Sequence, residues 1–471
     1  MRGEKAQPPG WTQVALGDAG AWIGGGTPSK SNSRFWTDGT IPWVSPKDMK
    51  VRVIRKSADQ ITLSALNASA TQLVPSGSVL VVTRSGILER TLPVALTAVA
   101  VTLNQDMKAI VPVEGIDASY LTWALTSHEE EILRTCRKAG TTVASIETSQ
   151  LQRFAVPVAP LAEQRRIVAA LEEHLSELDA AVAGLERARA NANRYRSSLY
   201  AFAVRGMGAI ADSHSLYTNE DESPFALPSK WFWSNVGRFV TSIQAGNSFK
   251  CEERPPELGE TGVVKVSAVS WGSFDEDESK TVLHQERIDE DLLVRANDFL
   301  FSRANTISLV GACVIVGDVT RRVMLSDKIL RIEWNELLPQ WALVCLRSDW
   351  GRFEIERLAT GNQESMRNIG QERIKAIRIP VPPIPQQRAI VGDLERRLSI
   401  TDQVIGEIQT QLLRATRLRQ SILKSAFDGT LVPQDPNDEP ASVLLDRIRA
   451  ERTTPPASAP RRRPRAATSA R

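Results

Sequence analysis

Several signatures of enzymes are missing from this sequence. There is no Gly-Lys dipeptide, so the phosphate-binding loop of many ATP-using enzymes is absent. No Asp, Asn or Ser precedes a Pro-Pro-aromatic triplet that would hold a base for methylation, and no Pro-Asp precedes the Asp/Glu-x-Lys triplet of a common nuclease site. Histidine is scarce and scattered, so neither a catalytic site nor a metal or cofactor site is expected; the four are His128, His174, His214 and His284.

Cysteine, a secretion signal and long apolar runs are also scarce or absent. The N-terminus lacks the apolar core of a signal peptide. The longest apolar stretch, Leu92 to Leu103, contains Pro93 and is far too short for a membrane span. These features predict a soluble, cytoplasmic protein whose cysteines are buried thiols in a reducing compartment. The cysteines are widely separated, at Cys136, Cys251, Cys313 and Cys345.

The charge balance excludes a simple electrostatic argument for nucleic acid. The chain of 471 residues has a formal net charge of +3 and 42% hydrophobic residues, enough for two to four domains with real cores. Residues 453–471 hold five arginines and no acid, so the rest of the chain sums to −2. Any nucleic-acid interface must therefore rest on local patches.

A long internal repeat is the main signal. The segment VPVAPLAEQRRIV from Val156 is matched by IPVPPIPQQRAIV from Ile379, at an offset of 223 residues. This match holds without a gap to Gly206 and Gly429. Upstream, GSVLVVTR, which ends at Arg84, parallels ANDFLFSR, which ends at Arg303. The chain is therefore predicted to be a tandem duplication of a globular unit followed by a helix.

Each repeat ends in a predicted helix with a heptad seam. Apolar residues alternate at steps of three and four, each run follows a proline cluster, and each ends near a glycine. About 40 residues at ~1.5 Å rise would give a rod of roughly 60 Å. Two seams of similar length predict an intramolecular coiled coil. The predicted seam residues are Leu171, Leu175, Leu178, Val182, Leu185, Leu394, Leu398, Ile405, Ile408 and Leu412, with Thr401, Ala415 and Arg419 as interruptions.

The globular parts, called heads here, mix short β-rich runs with short helices. This pattern predicts an α+β fold, in which Trp11 and Trp231 precede the first core strand of each head and serve as core anchors. The complete prediction is two similar globular domains joined by two long antiparallel helices in a coiled coil, with pseudo-two-fold symmetry.

Two heads on a stiff spacer suit a ligand with two sites at a fixed distance, as duplex DNA offers. A scaffold whose heads bind proteins explains the architecture equally well, and a self-sufficient DNA enzyme is a second alternative. Local composition favours DNA, because residues 30–56 carry a net charge of +5 beside amide and aromatic side chains. The predicted DNA-binding residues are Lys30, Asn32, Arg34, Lys47 and Arg84 in the first head, and Gln244, Asn247, Lys250, Arg303, Asn305, Asn362 and Gln363 in the second.

These motifs together resemble the specificity subunit of Type I restriction-modification systems. The resemblance extends over roughly residues 8–445 and is carried by GGGTPSK, IPWVSPKD, the two proline-to-EQRRI and QQRAI junctions, and the C-terminal SAFDGTLVPQDPNDEPASVLLDRIRAER. Departures are minor: Ala159 stands where the second half has Pro382, and Gln386 replaces the acid at Glu163.

The resemblance implies a non-enzymatic DNA-binding subunit with two target-recognition domains, each reading one half of a split double-stranded DNA site. It implies that two methyltransferase subunits, which bind S-adenosylmethionine, dock on the helices, and that restriction or translocase subunits join them. The expected divisions are a first target-recognition domain (1–157), a first spacer helix (158–206), a linker (207–226), a second target-recognition domain (227–380), a second spacer helix (381–430), a partner-facing segment (431–452) and a disordered basic tail (453–471).

Overall fold

The computed structural model describes residues 7–140, 142–206, 224–270, 272–363 and 366–453. Most of the expected linker and nearly all of the expected basic tail lie outside these residues. The chain divides into two compact units: the first unit combines Met1–Ala183 with Leu412–Arg471, and the second is Gly184–Gln411. Each unit therefore contains one head and parts of two long helices. The seven-part division expected from the sequence stays a prediction.

The first head is an α+β domain built on three sheets. A five-stranded sheet has the order β2-β9-β6-β7-β4, a three-stranded sheet has the order β5-β3-β8, and β1 pairs antiparallel with β10. The fully buried β6 lies at the centre of the larger sheet because all four of its residues are valine or leucine. The elements are β1 Thr12–Ala15, β2 Gly20–Gly24, β3 Ile41–Val44, β4 Val53–Ile54, β5 Asp59–Ile61, α1 Leu63–Ala68, β6 Val79–Val82, β7 Val94–Thr97, β8 Thr102–Leu103, β9 Met107–Pro112, α2 Ala118–Ser127, α3 Glu129–Cys136, α4 Thr148–Arg153, β10 Ala155–Val158 and the start of α5 Leu161–Val204.

The second head repeats this plan. Two four-stranded sheets have the orders β12-β20-β16-β18 and β13-β15-β14-β19, β11 pairs antiparallel with β23, and β17, β22 and β21 form a small third sheet. The elements are β11 Phe232–Asn235, β12 Val240–Ala245, β13 Cys251–Glu252, β14 Gly262–Val264, β15 Ser279–Val282, β16 Phe299–Ser302, β17 Ala304–Asn305, β18 Cys313–Ile315, β19 Val323–Met324, β20 Ile329–Trp334, α6 Pro339–Arg347, α7 Asp349–Leu358, β21 Thr360–Gln363, β22 Met366–Asn368, α8 Gln371–Lys375, β23 Arg378–Val381, α9 Ile384–Phe427 and, in the first unit, α10 Ala441–Thr453.

Each core contains an equivalent contact, which a different side chain makes in each head. In the first head the buried Tyr120 hydroxyl donates to the Pro157 carbonyl oxygen at 2.9 Å. In the second head the buried Trp341 indole donates to the Pro380 carbonyl oxygen, also at 2.9 Å. Both acceptors lie on the strand that leads into the long helix, 223 residues apart. In each head a core helix, α2 or α6, is therefore bonded to the strand that precedes the long helix. The duplication predicted from the sequence is thus also visible in the packing.

The tryptophans before the first strand of each head are core residues, as predicted. Trp11 and Trp231 are 7% and 8% exposed and belong to the two main cores. The Trp231 indole donates to the Gln386 side-chain oxygen at 2.8 Å. Glu163 occupies the matching position of the first half and is buried. Burial raises the pKa of this carboxyl, although the Trp11 indole and the Arg166 guanidinium oppose the rise.

The long helices pack antiparallel, as the seam predicts. In the first unit the start of α5, with Leu171 and Leu175, shares a core with the end of α9, including Leu423. In the second unit the end of α5, with Leu199, shares a core with the start of α9, including Leu394. Ile408 is buried as well, whereas Leu178, Val182, Leu185, Leu398, Ile405 and Leu412 are half-buried.

The polar interruptions of the seam have partners of their own. Thr401 is buried, and its hydroxyl donates to the Arg397 carbonyl oxygen at 2.8 Å, one helical turn earlier. Arg419 forms an ion pair with Asp179 across the two helices in the first unit. A polar residue can therefore occupy the seam without leaving a buried polar atom unpaired.

The segment after α9 folds back onto the first head. Ala441 and Leu445 of α10 belong to the core of the first unit, and the Ala441 amide donates to the Gly10 carbonyl oxygen at 2.9 Å. Asp438 accepts from Arg166 on α5 at 2.6 Å. One side of this segment is therefore buried against its own chain, while Val443 is 52% exposed.

The cysteines are all free thiols; Cys136, Cys313 and Cys345 are buried, as expected, whereas Cys251 is only half-buried. Complete burial raises the pKa of Cys313 to about 11. Among the described residues, no helix is both long enough and apolar enough to cross a membrane.

Candidate nucleic-acid interface

A glycine loop in the first head lies tightly against a neighbouring turn. The Gly26 amide donates to the Leu103 carbonyl oxygen at 2.8 Å, and the buried Trp43 indole donates to the Gly26 carbonyl oxygen at 2.9 Å. A Cβ on Gly25 would overlap the Asn104 carbonyl oxygen, so glycine is required there. The loop that leads to Lys30 is consequently held in place at its base.

Exposed basic side chains follow this loop along the chain. Lys30, Arg34, Lys50, Arg55 and Lys56 are exposed, and Lys47, also exposed, donates to Asp59 at 2.7 Å, which raises the pKa of Lys47. We call these six residues the basic surface.

Two nearby residues are engaged with the protein itself. Arg52 is directed to the long helix, where it donates to Glu172 at 3.1 Å and lies over the Trp123 ring. Asn32 caps a 3₁₀ turn by accepting from the Arg34 amide. Arg52 therefore belongs to the contact between head and helix, although it was counted in the net charge of residues 30–56.

The second head repeats the glycine contact with different charges. A Cβ on Gly246 would overlap the Leu325 carbonyl oxygen, just as a Cβ on Gly25 would overlap the Asn104 carbonyl oxygen in the first head. Beside it lies a cleft of about 610 Å³. Its polar lining includes Lys265, Lys280, Lys328, Ser267 and Asn305, together with Asp327 and with Glu253, which pairs with Lys280 at 2.5 Å. Lysines that can neutralise phosphates and short polar groups that can reach base edges give this cleft the chemistry of a nucleic-acid interface.

Predicted residues of the second head differ in their availability. Asn247 and Lys250 are exposed. Gln244 is half-buried, and its side-chain oxygen accepts from the buried Arg331 at 2.8 Å. Arg331 also pairs with Asp298 at 2.8 Å, so Gln244 is part of an internal polar network.

Arg84 and Arg303 occupy the same place in the two heads. The Arg84 amide donates to the Asp106 carbonyl oxygen at 3.1 Å, and the Arg303 amide donates to the Lys328 carbonyl oxygen at 2.9 Å. Asp106 and Lys328 lie in the turns between matching strands, β8–β9 and β19–β20. Arg84 is exposed, whereas Arg303 is half-buried.

A hairpin accompanies each of these arginines. In the second head β17 pairs with β22, which pairs with β21, so Arg303, Asn305 and the backbone of 362–363 meet at one small sheet. In the first head Ser145 bridges to Arg84 and Ile146 bridges to Arg137. The structure therefore brings together four of the predicted residues, Arg303, Asn305, Asn362 and Gln363, which are separated in sequence.

Several cationic residues at these surfaces were missed by the sequence analysis. Lys138 is exposed beside the hairpin of the first head, and Arg367 lies on β22. Lys265, Lys280 and Lys328 meet in the cleft only through strand pairing, and nearby glutamates concealed them in the sequence. The weak recurrence of VTLNQDMKAI as VMLSDKILRI, which contains Lys328, was the one available signal.

Groupings typical of catalysis are not seen in the described part of the chain. No cluster of three or more His, Cys, Asp or Glu residues there could hold a metal ion. The His128 ring contacts the Ala124 carbonyl oxygen at 2.8 Å on its own helix.

The geometry thus defines a class of protein with two matched α+β heads, each with exposed basic side chains and each followed in the chain by a long helix. Comparison with known proteins gives a family match for the first part of the chain. Residues 8–183 match the family described as the Type I restriction modification DNA specificity domain. The resemblance to specificity subunits of Type I restriction-modification systems is confirmed.

Individual relatives agree with this family. The EcoR124I/EcoR124II specificity subunit of Escherichia coli is 45% identical over 172 residues, which cover 36% of this chain and 43% of that relative. The EcoKI specificity subunit of Escherichia coli strain K12 is 24% identical over 337 residues, 67% of each chain. The match to the first relative thus spans less than half of its length.

A solved structure shares the fold. That structure concerns "complex assembly and conformational transition of the type I R-M system". It superimposes on this chain with a TM-score of 0.66 at 18% sequence identity, and the match covers 90% of this chain and 100% of the other. The predicted α+β fold with two heads and a helix pair is confirmed.

Proposed function

We propose that this chain is the DNA sequence-specificity subunit of a Type I restriction-modification complex and is not itself an enzyme. Each head reads one half of a split site in double-stranded DNA, and the helix pair sets the spacing. The observation that carries the proposal is the recurrence of an arginine-plus-hairpin element at the same place in both heads, at Arg84 and Arg303.

The residues around this arginine-plus-hairpin element differ between the two heads. In the first head it accompanies the basic surface, and in the second it borders the cleft that contains Lys265 and Lys328. Because the matched elements carry different side chains, each head would read a different half-site. Lysines would contact phosphates, whereas arginine and asparagine can read base edges.

The test of DNA reading compares Arg84→Ala and Arg303→Ala in the full complex. Each variant should lose discrimination at one half-site only, by about 5- to 150-fold, the range expected for one lost base contact. Arg90→Ala and Arg322→Ala are controls, because both residues are exposed arginines outside the hairpins of the same heads. A uniform loss at both half-sites would reassign the two arginines to phosphate contact or folding.

The exposed side of α9 supports docking of methyltransferase subunits. Ile400 and Val404 are one turn apart in the second unit and are 58% and 47% exposed. Leu413 and Leu418 are 64% and 51% exposed on the same helix in the first unit. Apolar side chains outside the seam of a helix pair are typical of a partner surface.

On this proposal, two methyltransferase subunits that bind S-adenosylmethionine dock on the helices, and restriction or translocase subunits join that assembly in the cytoplasm. Replacing Ile400 and Val404 by serine should weaken co-purification with the methyltransferase at least tenfold. Leu258→Ser is the control, because Leu258 is fully exposed on the second head. Equal co-purification of both variants would remove the helix surface from the proposal.

The whole function is tested by sequencing methylated bases in the host with this gene intact and deleted. Loss of one split motif on deletion is the expected result. An unchanged methylation pattern, together with DNA binding that is insensitive to salt and sequence, would instead favour a protein scaffold.

A further inference from the structure

A buried glutamine connects the first head to the start of its long helix. Gln164 lies in the first turn of α5 and is completely buried. Its side-chain nitrogen donates to the carbonyl oxygens of Gly115 at 3.0 Å and Ala159 at 2.8 Å. Its side-chain oxygen accepts from the amide of Asp117 at 2.8 Å, and Asp117 caps α2 in the core of the head. One amide group thus joins α5 to the loop before α2.

The second head has a corresponding joint with two of these three hydrogen bonds. Gln387, which is 1% exposed in the first turn of α9, occupies the matching position. Its nitrogen donates to the carbonyl oxygen of Pro382 at 2.8 Å, and its oxygen accepts from the amide of Leu338 at 3.0 Å. Leu338 occupies the N-cap position of α6, as Asp117 does in α2, although only the Asp117 side chain accepts a capping hydrogen bond.

Backbone conformation strengthens this correspondence. Gly115 and Glu336 lie two residues before the two capping residues, and both have positive φ, at 90° and 59°. A non-glycine residue with positive φ is uncommon, so the same loop shape is kept at Glu336 despite the unfavourable backbone. The contact is therefore preserved where side chains around it have diverged.

We propose that Gln164 and Gln387 are positioning residues that fix the angle between each head and its helix, and thereby fix the spacing between the DNA half-sites. This inference rests on the proposed function. A helix of constant length defines a spacing only if the heads cannot rotate on it. A head of about 150 residues extends on the order of 20 Å, so a rotation of about 10° moves its surface by roughly 3.5 Å, about one base-pair step.

Glutamine suits this role because its amide donates and accepts at once, in one plane. Methionine has a similar volume and no amide, so Gln→Met keeps the packing and removes the hydrogen bonds. The flanking Arg165 and Arg388 are exposed and provide matched controls on the same helical turns.

The experiment uses the full chain co-expressed with its methyltransferase subunit. The substrate is a plasmid library in which the two half-sites are separated by the natural spacer or by one or two base pairs more or fewer, with further members that carry single-base changes in either half-site at the natural spacing. Methylated fractions are read by sequencing for the wild-type chain, Q164M, Q387M, the double variant, R165A and R388A. Thermal unfolding of each purified complex establishes that it is folded.

The expected result is relaxed spacing with unchanged half-site sequences. Sites with one base pair more or fewer should rise at least tenfold relative to the natural spacer in the double variant, and not in R165A or R388A. If the methionine variants do not accumulate, Q164N and Q387N, which keep an amide on a shorter side chain, should relax the spacing in the same direction.

Two results would overturn the proposal: folded variants that keep the natural spacing preference, or variants that accept altered bases within a half-site at the natural spacing. The second result would place the glutamines in the reading of bases. If the wild-type chain directs methylation to no split motif, the proposed function itself is overturned. The library separates this outcome from failure of the present proposal, because spacing is scored only among intact half-sites.

Discussion

The hydroxyl of Tyr120 provides a sharp test of how the first head is tied to its helix. Tyr120→Phe removes one oxygen atom and leaves the ring in place. The hydroxyl is fully buried and donates at 2.9 Å to the Pro157 carbonyl oxygen, on the strand that leads into α5. Burial raises the pKa of Tyr120, so the group stays protonated at ordinary pH.

The magnitude follows from what the substitution leaves behind. No cavity of consequence forms, because the ring is retained. A buried carbonyl oxygen loses its donor, which costs about 1–3 kcal/mol. We therefore expect a loss of about 2 kcal/mol, or a fall in the melting temperature of about 4–8 °C for a unit of this size.

The assay is urea unfolding followed by tryptophan fluorescence, with thermal unfolding in parallel. Tyr195→Phe is the control, because Tyr195 is 48% exposed and its change should stay within about 0.5 kcal/mol. Trp341→Phe, the counterpart in the second head, also loses ring volume and should cost about 2–4 kcal/mol. If Tyr120→Phe unfolds within error of the wild-type chain, the hydroxyl contact does not stabilise the head and the reasoning fails.

Three further outcomes are expected. Glu163→Gln, which introduces the residue found at Gln386, should raise the melting temperature at pH 7–8. Burial raises the folded-state pKa of Glu163, so the wild-type chain loses stability as the pH rises from 4.5 through the folded-state pKa. Equal melting temperatures of the variant and the wild-type chain at all pH values would contradict this reasoning. Asp438→Ala breaks the partly buried pair with Arg166 and should cost about 1 kcal/mol in urea unfolding, less in 1 M salt; a cost independent of salt would contradict an ionic contact. Leu445→Ala should cost about 2–4 kcal/mol and speed proteolysis after residue 429, whereas unchanged proteolysis would show that α10 is not held by this side chain.

Much of the fold could be predicted because it depends on local sequence patterns. Proline clusters before Leu161 and Ile384 and glycines at 206 and 429 bound the long helices, and both glycines have positive φ. The 223-residue offset revealed the duplication without any knowledge of contacts. Periodicity could not reveal that Thr401 bonds to its own helix and can therefore be buried.

The candidate site was less predictable because it is assembled over long distances. Lys265 and Lys328 come together only when β14 pairs with β15 and β19, and no local pattern announces this. Charge counting in the first head could not separate Lys47, which remains exposed, from Arg52, which turns to the helix. Gln244 matched the pattern of a base-reading amide but bonds to Arg331 in the interior.

The division of the first unit between the two ends of the sequence has a consequence for synthesis. Its core needs Phe427, Ala441 and Leu445 against Tyr120 and its neighbours, whereas the second unit is complete in the chain at residue 411. At ~5–20 residues per second, the ribosome needs roughly 15–50 s to add the last core residues after the first head has emerged. The part made first is thus finished last, and until then the core residues of the first head that pack against Phe427, Ala441 and Leu445 lack these neighbours.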